Sequence, residues 1–447
     1  MAALARNEKA PARHALGEER DPLSLLIRVL LVGDAGGVDD VAQALPVDDL
    51  GALLMRRGDE VTCPYELSPH AQDGADWWVL SDRTDASGHP TRSDHVLGVG
   101  GASTTLAQLT VRRRVQRALD IGTGCGVQAL HLTQHADRVT ATDSVSRALR
   151  LAATGFALSG VDVELLEGDL AEPVADREFD LVVCNPPFVV GPSSRFAYRD
   201  SGRAGDAMSR DAVRAAAGLL AEDGVAQLLV NWLHVAGEDW RDRVADWVSD
   251  LGCDAWLIER DEQEPVDYVS TWLADAGERE PEFAREWLRW FDDQRVQSVG
   301  FGWVLLRRGD PPHRVAMETL VHPVDQPLGP HFAGWLDRVD WLRGVDDTAL
   351  LDARLQVAPA ARLDIAHAPP DWAPLGQALL LDEGFRWQLP CDQATAAIVR
   401  GCDGQTPLRS LVAVLTAVLG VPESELAPAV CATVRGLVDR GLLLPPA

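Results

Sequence analysis

One octapeptide limits what this chain can fold into more than any other: Leu119-Asp120-Ile121-Gly122-Thr123-Gly124-Cys125-Gly126. The apolar run ending at Ile121 reads as a buried strand, and the glycines that follow read as a tight turn opening a helix at Val127. Glycine has no Cβ, so such a turn lets the backbone approach a ligand closely. The pattern is D-x-G-x-G-x-G, distinct from the G-x-G-x-x-G of dinucleotide-binding turns. Around it strands alternate with helices. Strands are expected at 118–121, 138–142, 163–166, 179–183, 225–230, 254–258 and 299–306, and helices at 127–135, 146–160 and 211–220. Alternation of this kind builds a mostly parallel sheet, here of seven strands, covered by helices on both faces. Ligands in such sheets sit at the carboxyl ends of the strands.

Three further positions fall at those ends. Asp143 sits just past the second strand, where a carboxylate can accept both hydroxyls of a ribose. Asp169, in Glu167-Gly168-Asp169-Leu170, sits past the third, within reach of an adenine amino group. Acids in such loops also cap helices, and the two roles are compatible. Asn185-Pro186-Pro187-Phe188 leaves the fourth strand directly. The prolines stiffen the loop, which fixes its carbonyls in place. The Asn185 side chain and the Pro186 carbonyl each offer an acceptor, and Phe188 offers a flat apolar face. Together they suit a planar group bearing N–H₂, whose lone pair is then aimed at an electrophile.

On these motifs, residues 96–307 resemble class I S-adenosylmethionine-dependent methyltransferases, in the branch with an [ND]-P-P-[FYW] motif. That branch includes release-factor glutamine methyltransferases and N6-adenine and N2-guanine methyltransferases. The resemblance implies a Rossmann-like sheet and S-adenosylmethionine as cofactor. It implies Gly122, Gly124 and Gly126 against that cofactor, Asp120 near its amino-acid end, Asp143 on the ribose and Asp169 on the adenine. It places the target, beside the cofactor, on Asn185, Pro186 and Phe188 as catalytic residues. Pro187 and the following Arg195, Tyr198 and Arg199, in a loop with two arginines and two aromatic rings, are expected to contact substrate or to brace the motif. Gly98–Thr105, rich in Gly, Ser and Thr, is expected to fold over the cofactor. Between the last two strands, Trp272, Trp287, Trp290 and Phe291 belong either to a structural helix pair or to a lid.

The flanks carry less chemistry. Residues 1–20 read as a disordered tail, 21–93 as an N-terminal helical or winged-helix-like module, 94–310 as the methyltransferase domain and 311–447 as a C-terminal domain. In the N-terminal module, helices are expected near 23–30, 38–45 and 48–58, followed by strands at 61–67 and 77–80. Pro and Gly punctuate 311–384, which argues against any long element there. Helices are expected at 394–400, at 407–419 with Thr406 as cap and Gly420 as stop, and at 423–439. This last segment, about 384–447, is similar to PqqD-like winged helices, which capture a leader peptide by adding it as a strand.

The 447 residues carry 41 basic and 68 acidic side chains, a net charge of −27. A surface this acidic repels phosphate backbones unless a local basic patch overrides it, and Arg112, Arg113, Arg114 and Arg117 form the only dense arginine cluster expected near the pocket. A protein or peptide acceptor is therefore favoured, methylated on a planar amide or amine; a ribosomal peptide natural product would suit the tail module. The alternatives are an RNA or DNA base, a peptide carboxylate methylated on oxygen, and a non-catalytic protein keeping the fold as a scaffold. The seven cysteines are scattered and odd in number, as expected in a reducing compartment, and the chain reads as cytoplasmic. His131 and His135 lie four apart, but no third ligand accompanies them, so no metal is expected.

Overall fold

The computed structural model describes residues 8–48, 51, 53–83, 94–187, 189–192, 203–275 and 281–446. Its backbone divides into two compact units, Met1–Ala107 with Arg114–Val321, and Gln108–Arg113 with His322–Ala447.

The first unit is built on eight strands: β1 Val115–Ile121, β2 Ala136–Asp143, β3 Glu164–Glu167, β4 Phe179–Cys184, β5 Leu220–Val235, β6 Cys253–Gln263, β7 Val296–Arg308 and β8 Val315–Thr319. Their order across the sheet is β8-β6-β7-β5-β4-β1-β2-β3. Only β7 runs against its neighbours. The expected seven strands are present, and β8 extends the sheet to eight. It was missed because Pro311-Pro312 suggested a break, and a half-exposed edge strand lacks the long apolar run of a buried one. The central β4, Phe-Asp-Leu-Val-Val-Cys, has that run and is buried almost throughout.

The helices of this unit are α1 Gly101–Leu109, α2 Val127–Leu132, α3 Ser146–Ser159, α4 Ala207–Gly218, α5 Trp240–Val248, α6 Pro265–Asp275 and α7 Pro281–Asp293. In α3, Ala148, Leu151, Ala152, Gly155 and Phe156 share one buried face, the spacing of an amphipathic helix. Trp232 of β5 is fully buried across from Gly300 and near Gly302 of β7. A Cβ on either glycine would collide with its indole, so the two bare positions on β7 make the space the ring fills.

The N-terminal segment joins this unit. Lys9–Leu16 is helical within the stretch expected as tail. The helix expected at 48–58 is absent among the described residues there, and Met55–Arg57 is a strand paired with Glu60–Thr62. The two-stranded wing is an antiparallel hairpin, Tyr65–Gln72 with Ala75–Asp82. It lies on α3, where the Trp78 N–H donates to the Ser159 hydroxyl at 2.9 Å and Gly155 leaves room for the Trp78 carbonyl. Arg147 of α3 forms an ion pair with Asp82, which also accepts the Val96 N–H at 2.8 Å.

The second unit contains α8 Gly329–Arg343, α9 Asp347–Asp352, a three-stranded antiparallel sheet (Ala361–Ala368, Ala373–Leu381, Gln388–Cys391), and α10 Gln393–Gly401, α11 Leu408–Leu419 and α12 Glu423–Asp439. The fifteen-residue α8 runs through a region expected to hold no long element; its proline, Pro330, sits in the first turn, where no N–H is needed. Trp335 of α8 donates to Asp439 of α12 at 3.0 Å. The three last helices fall where the sequence placed them. Gly420 ends α11 with φ of 67°, but Pro407 rather than Thr406 occupies the cap position, and Thr406 instead closes a turn on Asp403. No helix among the described residues is long and apolar enough to cross a membrane.

Candidate active site

Strands β1, β2, β3 and β4 are parallel, so their carboxyl ends reach one edge of the sheet and their loops converge there on a cavity of about 1080 Å³. Gly122 and Gly124 line it with φ of +72° and +56°, and a Cβ on either would project into open space. The turn thus presents bare backbone to the cavity. The Gly124 N–H donates to Asp143 Oδ2 at 2.9 Å, and the Val145 N–H donates to Oδ1 at 2.9 Å. Burial pushes the Asp143 carboxyl up, and these donors hold it down. Each oxygen keeps a second lone pair, so Asp143 can still receive a pair of hydroxyls.

Two of the expected cofactor residues act from behind the wall. Asp120 is 1% exposed and does not line the cavity. Its Oδ2 accepts the Thr123 hydroxyl at 2.7 Å and the Ala129 N–H at 3.1 Å, tying the turn to α2. Burial pushes its pKa up to about 7. Gly126, at φ of +86°, lies against Phe156 of α3, whose ring would stand 2.7 Å from an added Cβ. Its role is close packing of the turn.

Asp169 does line the cavity, and its Oδ2 is held by Arg203 at 2.6 Å. Asn185, Pro186 and Pro187 line it as well. The Asn185 Oδ1 is buried and accepts no hydrogen bond among the described residues. Leaving an acceptor buried and unpaired costs on the order of 1–3 kcal/mol, which a ligand N–H would recover. Phe188, Arg195, Tyr198 and Arg199 lie outside the described residues. Gly98 to Ser103 forms part of the wall, as expected of that segment.

Two further contributors are the hairpin, which the sequence did not point to, and α6, whose Trp272 was expected either in a structural helix pair or in a lid. The hairpin supplies Glu66 through His70, and α6 supplies Thr271 and Trp272. His70 and His131 meet Nε2 to Nε2 at 2.9 Å, with Trp77 edge-on to His131, so the two histidines dock the hairpin on α2. Among the described residues no His, Cys, Asp and Glu group could hold a metal ion. Alternation along 65–72 signals a strand, but nothing local to it says which helix it covers.

Glu66, Asp82, Asp94, Asp143 and Asp169 line the cavity, and no Arg or Lys does so among the described residues. Arg114 and Arg117, expected beside the pocket, stand at the start of β1, whereas the glycine turn follows its end. Seven residues of strand separate the two by about 20 Å. Arg113 is engaged with the Ala333 carbonyl and Asp337 at 2.8 and 2.6 Å.

A glycine cradle, a carboxylate on the second strand and an Asn-Pro-Pro loop on the fourth, all at one edge of this sheet, define a class I S-adenosylmethionine-dependent methyltransferase domain of the [ND]-P-P-[FYW] branch. Comparison with known proteins agrees: residues 98–231 match the family model described as methyltransferase small domain. Residues 1–62 and 333–445 match two models, each described as a domain of unknown function. The release factor glutamine methyltransferase of Deinococcus radiodurans is 46% identical over 81 residues, 17% of this chain and 29% of that protein. The ribosomal protein uL3 glutamine methyltransferase of Bordetella pertussis is 37% identical over 130 residues, 26% of this chain and 43% of that one. The tRNA1(Val) (adenine(37)-N6)-methyltransferase of Actinobacillus pleuropneumoniae is 33% identical over 118 residues, 25% and 50% respectively. The chain thus spans half or less of the length of each of these relatives.

Proposed function

We propose that this protein transfers a methyl group from S-adenosylmethionine to the nitrogen of a planar amide or amine on a protein or peptide. The observation that carries the reading is the buried, unpartnered Asn185 Oδ1, set in the same cavity as the glycine cradle. Gly122, Gly124 and Asp143 would hold the cofactor, with Asp169 at its far end. When bound, the sulfonium supplies an electrophilic methyl, its C–S electron pair staying on sulfur. Asn185 Oδ1 and the Pro186 carbonyl would each accept one N–H of the target and stabilise the positive charge that grows on its nitrogen. Holding the reactants in this pose is the main contribution of the chain, and such positioning can supply ~7–11 kcal/mol of the barrier. One proton leaves the nitrogen for solvent after transfer, so no dedicated base is required.

No Arg or Lys among the described residues lines the cavity, which favours an uncharged or cationic acceptor over a phosphodiester, and Arg114 and Arg117 at the start of β1 lie away from it. Two of the relatives above act, by name, on protein glutamine and one on a tRNA adenine. The C-terminal helices and their sheet would serve as the docking module for the peptide.

The test is methyl labelling of a host-cell extract with radiolabelled S-adenosylmethionine, with protease and nuclease arms and Asn185→Ala in parallel. We expect protease-sensitive label that falls at least ~100-fold in the variant, the scale of losing a transition-state acceptor. Nuclease-sensitive label would overturn the acceptor class. Label released by mild base, as from a methyl ester, would overturn the nitrogen assignment.

A further inference from the structure

The Asn-Pro-Pro loop continues through Val189, which lines the cavity, to Val190, which is 1% exposed. Both backbone groups of Val190 are taken by side chains from the helical insertion between β6 and β7. Its N–H donates to the Tyr268 hydroxyl oxygen of α6 at 2.8 Å, and its carbonyl accepts from Trp287 Nε1 of α7 at 3.0 Å. The following Gly191 lies so close to the Trp287 indole that a Cβ would sit 3.0 Å from the ring. Tyr268 is fully buried, touches the rings of Trp272, Trp287, Phe291 and Phe301, and faces Asn231 across its hydroxyl. Burial pushes the phenol up, so it stays a neutral hydroxyl throughout the working pH range.

We infer that Tyr268 and Trp287 are positioning residues for methyl transfer: by gripping Val190 from both sides they fix the height of the Asn185–Pro187 acceptors above the cofactor cradle. The inference rests on the function proposed above. Its physical basis is that the prolines stiffen the loop internally but do not anchor its far end. A stiff segment pinned only at β4 would pivot there. A second fixed point about five residues on turns the stiffness into a defined position. The helical insertion is therefore an anchor for the loop, and through Trp272 it is also part of the cavity wall.

Tyr268→Phe removes the hydroxyl and keeps the ring; Trp287→Phe removes the Nε1–H donor and keeps an aromatic, though smaller, side chain. Three quantities are measured on the full chain: S-adenosylmethionine affinity by calorimetry, the rate of label transfer to the extract acceptor at saturating cofactor, and amide exchange at Val190. We expect affinity within twofold of wild type and a transfer rate lower by ~10–100-fold, the effect of a misplacement near 1 Å. Val190 should exchange faster in Tyr268→Phe, with β4 amides as protected as before. Wild-type transfer rates in both variants would overturn the inference and leave the function standing. A wild-type protein that binds the cofactor and labels nothing would overturn the function, and the inference with it. A loss of affinity that parallels the loss of rate would also overturn it, by showing a general collapse of the site.

Discussion

Gly124 and Gly126 differ by two positions and do different work, which their surroundings make testable. Both have positive φ, where a side chain costs about 1–2 kcal/mol. A methyl group on Gly124 would enter the open cavity, whereas one on Gly126 would meet Phe156. We expect Gly126→Ala to lower stability by more than ~2 kcal/mol in urea unfolding, the strain and the clash adding. Gly124→Ala should lose about 1 kcal/mol of stability and a larger share of cofactor affinity by calorimetry. Equal stability losses would show that the ring moves aside. The cradle was legible in sequence because its chemistry is local: backbone conformation depends on Gly at each position. Asp120 was legible as part of the motif, but its destination was not. A carboxylate at the end of a strand looks the same whether it faces a ligand or, as here, Thr123 and the first turn of a helix.

The hairpin Tyr65–Asp82 belongs to the N-terminal module that the sequence left open between a helical and a winged-helix-like reading. It covers α2 and α3 and helps wall the cavity, and one buried tie in its attachment is the pair Asp82–Arg147. Both side chains are largely buried, and Asp82 also holds Val96. Removing one partner of a buried pair leaves an uncompensated charge, at a cost of about 3–5 kcal/mol. Arg147→Met should therefore raise amide exchange along 75–82 and weaken cofactor binding, while β4 and β5 keep their protection. Unchanged exchange along 75–82 would show that Trp77, His70 and His131 suffice to dock it. The aromatic segment between β6 and β7 shows the same limit of sequence reading. Its rings are those of a helix pair with its own core, and Tyr268, the residue nearest the loop backbone, carried no motif.

At the scale of the whole molecule, charge is the property that bears on function. A net −27, with five carboxylates and no Arg or Lys lining the cavity among the described residues, sets the salt dependence of the reaction. Raising potassium chloride from 50 to 200 mM should change the transfer rate less than ~3-fold. An acceptor bound through 6–10 phosphate contacts would lose roughly 10³–10⁵ in affinity over that range. A steep fall would return the arginines at the start of β1 to consideration.

By itself the sequence determined the layered sheet, the glycine cradle, Asp143 and the Asn-Pro-Pro loop. These depend on periodicity, on backbone freedom at glycine and proline, and on position at strand ends, all of which are written within a few residues. Only the tertiary structure decided that the hairpin 65–82 walls the cavity, that Arg203 holds Asp169, that the arginine patch lies at the far end of β1, and that Tyr268 and Trp287 grip Val190. Each is a contact between residues far apart in the chain. Their pairing is fixed by how amphipathic faces bury one another, and the local pattern of either partner does not encode it.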